Sequence, residues 1–299
     1  MTAPPCSVLG ERLGEDFAAT APAAGRFLLL EQPGPWRGRN AVTNSDLAEG
    51  IARALLARAD EAGVKVHLIR RTARRSALER RSCFLASTAR DGAWVERHEL
   101  GDPAEVLDLD LSFTEPDRAA LWNEPLYAIC THGKRDPCCA RRGRPLARAV
   151  RAERPSQTWE IGHIGGHRFA ATFLAFPHGL AFGRVPAAAG PDIVAAYEAG
   201  EIALEHLRGR AGDPWPVQAA DVLVRRRLDL RGIDALAVDH VHESDGTAVV
   251  TLRVADGTRV RAQVARRVDE RPRPLSCGDE PDAVHVHELV EIDLLDRAA

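Results

Sequence analysis

The chain has 299 residues, 45% of them hydrophobic, and a formal net charge of −3. Acids and bases are interspersed, which gives no global electrostatic case for binding nucleic acid or an anionic membrane surface. No run of about 18 apolar residues occurs, so no spanning helix is expected. Residues 1–24 lack the basic-then-apolar order of a secretory signal, so the expectation is a cytoplasmic protein.

Residues 1–25, rich in Ala and Pro, read as irregular at first. Phe27-Leu28-Leu29-Leu30, ended by Pro33-Gly34-Pro35, has the continuous apolar run of a buried strand. Asp46, with Glu49 three residues on, can cap a helix carrying Leu47, Ile51, Leu55 and Leu56 as far as Ala62-Gly63. Strands are expected at 64–69, 82–87 and 94–100, the last two around the turn Asp91-Gly92. A second series follows: a strand from Leu126 to Ile129, a helix over 138–152 disturbed at its start by Gly143 and Pro145, and strands at 158–161, 171–176 and 180–185. A helix opening at Asp192 is expected to carry Ile193, Tyr197, Leu204 and Leu207, with a weak point at Gly200. Strand, helix, strand and strand pair thus occur twice, which suits an α/β layer fold of two thioredoxin-like units side by side. Beyond Pro214 the pattern gives a helix over 217–228 and short strands at 235–241, 247–254, 259–264 and 283–289, with turns at Asp245-Gly246 and Asp256-Gly257. The expected division is residues 1–112, an α/β unit without metal ligands; 113–212, the ligand-bearing unit; and 213–299, a small β-rich appendage.

Six cysteines occur, three of them within ten residues: Cys130, Cys138 and Cys139. In a cytosolic chain of this size such a cluster points to metal binding or catalysis rather than to disulfides. The stretch Cys130-Thr-His-Gly-Lys-Arg-Asp-Pro-Cys138-Cys139 follows one expected strand, and His163-Ile-Gly-Gly-His167 follows another. Thiolates and imidazoles are ligands for zinc or iron–sulfur chemistry, not for magnesium or calcium. Gly165 and Gly166 disfavour a helix between the two histidines by roughly 1 kcal/mol each, so a tight loop is expected there. On ligand type alone a closed Cys2His2 zinc site and an iron–sulfur site are equally open.

The paired Cys130–Cys139 and His163–His167 motifs, with Glu31-Gln-Pro-Gly-Pro-Trp36 upstream and Gly183-Arg-Val185 and Ser276-Cys277 downstream, resemble the sucrase/ferredoxin-like family. The resemblance implies a thioredoxin-like ferredoxin domain with a [2Fe–2S] cluster on Cys130, Cys139, His163 and His167. It implies single-electron transfer or redox sensing, an electron carrier more than a stand-alone enzyme. Two thiolates and two neutral imidazoles would leave the oxidised site near neutral. Its potential is therefore expected above the roughly −400 mV of plant-type ferredoxins and toward the roughly −150 to +300 mV of Rieske centres. Two other classes compete: a zinc-stabilised binding module, and a thiol–disulfide oxidoreductase using Cys138 and Cys139. The second lacks the usual C-x-x-C spacing.

Several residues carry weaker signals. His132 reads as a loop histidine or an alternative ligand, and Lys134 and Arg135 as a solvated loop or a docking site for an acidic redox partner. The run Arg70, Arg71, Arg74, Arg75, Arg80 and Arg81 lacks interleaved aromatics and reads as a solvated face. Cys6, Cys83 and Cys277 are isolated in sequence and read as structural thiols. There is no G-x-G-x-x-G, P-loop or G-x-S-x-G, so an electron carrier of this sequence would need an external reductase and an external acceptor.

Overall fold

The computed structural model describes residues 4–71 and 79–295. Arg74 and Arg75 of the basic run lie outside them. Nine strands form one mixed sheet and four more a separate antiparallel sheet.

In chain order the elements are α1 (Cys6–Arg12), β1 (Arg26–Glu31), α2 (Glu49–Glu61), β2 (Lys65–Arg70), β3 (Arg81–Ser87) and β4 (Trp94–Leu100). Next come β5 (Leu126–Cys130), α3 (Pro137–Glu153), β6 (Thr158–Ile161), β7 (Phe173–Phe176), β8 (Leu180–Phe182), α4 (Gly190–Glu198) and β9 (Leu207–Arg210). The chain closes with α5 (Trp215–Leu228), β10 (Leu236–Ser244), β11 (Thr247–Val254), β12 (Arg259–Pro274) and β13 (Pro281–Leu295). The large sheet runs β4-β3-β1-β2-β6-β5-β7-β8-β9. Its halves repeat one pattern. β1 is parallel to β2 and antiparallel to β3, which pairs antiparallel with β4. β5 is parallel to β6 and antiparallel to β7, which pairs antiparallel with β8. The halves meet edge to edge through a short antiparallel β2–β6 contact at Ile69–Ile161 and Arg70–Glu160.

Strand alternation divides the side chains between the sheet faces. Phe27 and Leu29 join Leu126, Ala128, Cys130 and Trp159 in a core spanning both halves, whereas Leu28 and Leu30 pack beneath α2. Tyr127 and Ile129 face the other way, against Leu146, Val150 and Val194 of α3 and α4. Central strands covered on both faces need apolar residues throughout, hence the unbroken run at β1. Helix α5 is buried on two sides: Val222 packs toward the large sheet, and Ala219, Ala220 and Val224 toward the small one.

The structure departs from the sequence expectations in several places. Asp46 does not cap α2: it pairs with Arg37 at 2.6 Å, and the helix opens at Glu49 after Ala48 with no side-chain cap. A short helix, α1, forms where residues 1–25 read as irregular. α3 is one continuous helix through Gly143 and Pro145. α4 stops at Glu198 because Gly200 takes a left-handed φ of +81° (the usual helix-ending conformation), so Leu207 opens a strand instead of extending the helix. Finally, β12 and β13 run to 16 and 15 residues, far beyond the expected 259–264 and 283–289. Charged side chains such as Arg266, Arg267 and Asp269 hide the extension, since this part of the hairpin has little core to bury. The long hairpin carries its tip back to the large sheet.

Candidate metal centre

Parallel strands β5 and β6 end side by side, the position where open α/β sheets present ligands beyond their carboxyl ends. Cys130 is the last residue of β5 and is buried. The chain then turns through Thr131–Arg135 into α3. Asp136 caps that helix by accepting from the Cys138 N–H at 2.8 Å, and Pro137 fills the first turn, where no N–H is needed. α3 rests directly on the end of β5: a Cβ at Gly143 would collide with the Cys130 carbonyl oxygen. This close seating brings Cys139, in the first turn of α3, against Cys130.

After β6 the backbone passes through Gly162 and His163 to Gly165 and Gly166, whose φ values are +86° and +70°. These left-handed positions form the tight loop expected from the sequence and return His167 beside His163. Cys130, Cys139 and His163 present ligand atoms within 4.8 Å of one another. His163 Nδ1 lies 3.8 Å from Cys139 Sγ, and His163 Nε2 lies 3.3 Å from His167 Nδ1. The four residues therefore stand in sequence: the buried cysteine pair, then half-buried His163, then His167.

Groups around them fix and polarise the set. The backbone amide of His132 favours the Cys130 thiolate. The Cys130 thiol is held well below its ordinary range by the hydrogen bond from Cys139, and also by His163, against the opposing effect of burial. Cys139 is pushed up by the same hydrogen bond and by burial. Burial and the neighbouring His163 lower His167 to about 4. The outer nitrogen of His167, Nε2, pairs with Ser276 Oγ at 2.7 Å, which leaves Nδ1 facing His163. Arg208 is fully buried beside this loop and bonds the Thr20 and Gly165 carbonyls. Burial lowers it to about 9, opposed by the nearby Cys130 and Cys139 thiols.

Of the sequence candidates, Cys130, Cys139, His163 and His167 come together. Cys138 does not join them; it turns to the opposite side of α3. There its sulfur lies 3.6 Å from Cys6 Sγ and 3.5 Å from Cys277 Sγ. His132 bonds the Gly38 carbonyl at 2.9 Å and sits edge-on to Trp36. Cys83 stays in the core beneath α2. No sequence signal gave a role to Arg208, to the contact of Ser276 with His167 or to the meeting of Cys6 with Cys277, because each depends on a tertiary contact; Asp136 lies within the motif, where its place before Pro137 was the available signal of a helix cap. Beside Thr131–Lys134 opens a cleft of about 1020 Å³, whose lining is basic through Arg70, Lys134, Arg141, Arg144 and Arg148.

Among the described residues, fold and site together define an α/β protein with two largely buried Cys-containing groups that could hold a metal ion. The chain belongs to the sucrase/ferredoxin-like family, whose sequence profile matches residues 17–209. No curated protein and no solved structure matches it. No helix among the described residues is long and apolar enough to cross a membrane.

Proposed function

We propose that this chain is a [2Fe–2S] protein of single-electron transfer or redox sensing, with Cys130, Cys139, His163 and His167 as ligands. The supporting observation is that Cys130, Cys139 and His163 gather their ligand atoms within 4.8 Å, with His167 set 3.3 Å beyond His163, in a chain of the sucrase/ferredoxin-like family. In a [2Fe–2S] core with four protein ligands, each iron takes two. A single tetrahedral ion would instead draw all four donors to one point, and His167 stands outside the group of three. Cys130 and Cys139 would supply the thiolates and His163 and His167 the imidazoles, the short spacing of the histidines favouring a shared iron. Repetition of one strand order in both halves fits two thioredoxin-like units, with residues 113–212 as the ligand-bearing one and residues 1–112 as its ligand-free relative. Residues 213–299 form the appendage.

A bound cluster supplies one-electron exchange; the protein's part is to hold, tune and shield it. Cys130 and Cys139 lie within the core, out of reach of water. His163 is the half-buried ligand and marks the face through which an electron would pass. Ser276 holds the outer nitrogen of His167, the kind of partner that orients a metal-bound imidazole. The buried Arg208 guanidinium adds positive charge near the thiolates and favours the reduced site. Electron donor and acceptor are external, and the basic cleft beside Thr131 suits an acidic partner in the cytoplasm. The test is a redox titration of the anaerobically purified protein, followed by electron paramagnetic resonance. The potential is expected above the roughly −400 mV of four-cysteine plant-type ferredoxins. His163→Cys and His167→Cys should each lower it. A wild-type potential at the plant-type value, or zinc in place of iron, would overturn the proposal.

A further inference from the structure

A second group lies across α3 from the first and uses none of its ligands. Cys6 opens α1, Cys138 sits in the first turn of α3, and Cys277 is at the tip of the β12–β13 hairpin. All six cysteines are free thiols. The Cys6, Cys138 and Cys277 sulfurs form a nearly equilateral triangle with edges of 3.6, 3.5 and 3.6 Å. Asp136 closes a fourth side, its carboxylate oxygens 3.7 and 3.8 Å from Cys6 Sγ. The ligand atoms of all four lie within 4.8 Å of one another.

These spacings match those around one tetrahedral zinc. With Zn–S near 2.3 Å and Zn–O near 2.0–2.2 Å, ligand sulfurs stand about 3.8 Å apart, and sulfur and oxygen about 3.5 Å apart. A [2Fe–2S] core fits less well, because all four donors here surround one point, whereas each iron of that core accepts two protein ligands. Supporting contacts surround the set. The Asp136 oxygens accept from the Cys138 and Cys277 N–H groups at 2.8 and 2.7 Å. Buried Arg273 reaches Glu15 at 3.0 Å, and Arg168 reaches the same carboxylate at 2.8 Å, so the hairpin, the N-terminal segment and the loop of His167 are already tied together here. Cys6 and Cys277 lie outside the family-matched residues 17–209.

We propose that Cys6, Cys138, Cys277 and Asp136 form a structural site for one zinc ion, which staples α1 and the hairpin tip to the first turn of α3. Through Ser276 and Asp136 the staple also sets the position of His167, which lies 3.9 Å from the Asp136 carboxylate. Metal content of the full-length protein, purified anaerobically without a metal-affinity step, tests this. Wild type is expected to hold about one zinc per chain. Cys6→Ser and Cys277→Ser should each lose it while keeping visible iron absorbance, and Cys139→Ser should lose the iron while keeping the zinc. Asp136→Asn keeps a competent helix cap and should weaken zinc at least tenfold in competition with a chelator. Folding of each variant is checked by circular dichroism, and Cys83→Ala serves as a control that should retain zinc. Three results would overturn the site: wild type, freed of metal and given zinc alone, binds none; Cys6→Ser and Cys277→Ser retain zinc; or mass spectrometry finds a disulfide among the three cysteines in the anaerobic protein. Zinc lost from Cys139→Ser but kept in Cys277→Ser would place the ion in the first group, overturning this site and supporting the zinc alternative there.

Discussion

Cys138 and Cys139 share a helical turn yet face opposite groups, since side chains one residue apart on a helix point about 100° away from each other. Cys139 faces Cys130 and His163, whereas Cys138 faces Cys6 and Cys277. A variant pair separates their roles: Cys139→Ser should abolish iron binding, and Cys138→Ser should leave the visible spectrum in place. Equal loss in both would argue against this division. Spacing alone does not separate these neighbours, because the seating of α3 on β5 decides which thiol turns toward Cys130. The nearness of Cys130 and Cys139 to His163 was legible because each motif follows its own strand. Cys6 and Cys277 were not, since nothing local links residues 271 positions apart.

At the scale of elements, two contacts hold the site's supports. Gly143 is where α3 touches the Cys130 carbonyl, so Gly143→Ala must push helix and strand apart. Cluster content of this variant should fall and thermal stability with it; full loading at wild-type stability would show that the close approach is dispensable. Farther away, Arg225 is fully buried on α5. It bonds Asp221 at 3.1 Å and the carbonyls of Leu230, Gly232 and Ile233. Arg225→Leu leaves Asp221 and three carbonyls short of a partner, and urea denaturation should record a loss of about 3–5 kcal/mol. A loss under about 1 kcal/mol would mean that water or Arg90, 3.5 Å from Asp221, takes over. Central strands such as β1 and β5 were readable from composition because both their faces are buried. The reach of the β12–β13 hairpin was not, since its outer half alternates charge with charge and offers no apolar period to read.

Over the whole molecule, the two sheet halves share one core, and His67 sits within it at the join, stacked on Phe27 with ring centroids 6.2 Å apart. Burial lowers its imidazole from 6.5 to about 3. His67 therefore stays neutral in the folded protein while the unfolded chain takes up a proton below about pH 6.5. Its contribution is complete above that pH and is lost toward pH 3, at up to roughly 1.4 kcal/mol per pH unit. His67→Phe should flatten the acid limb of a stability-against-pH curve, and an unchanged slope would assign that limb to other groups. The repeated strand order was visible in the sequence as two similar series of elements, whereas their merging into one nine-stranded sheet depends on the short β2–β6 contact, which no local pattern announces. The central claim concerns what Cys130, Cys139, His163 and His167 hold. Its most direct test is a visible absorption spectrum of anaerobically purified protein, with iron, sulfide and zinc quantified on the same sample. Broad visible charge-transfer bands with about two iron and two sulfide per chain are the expected result. A colourless protein containing zinc and no sulfide would contradict it.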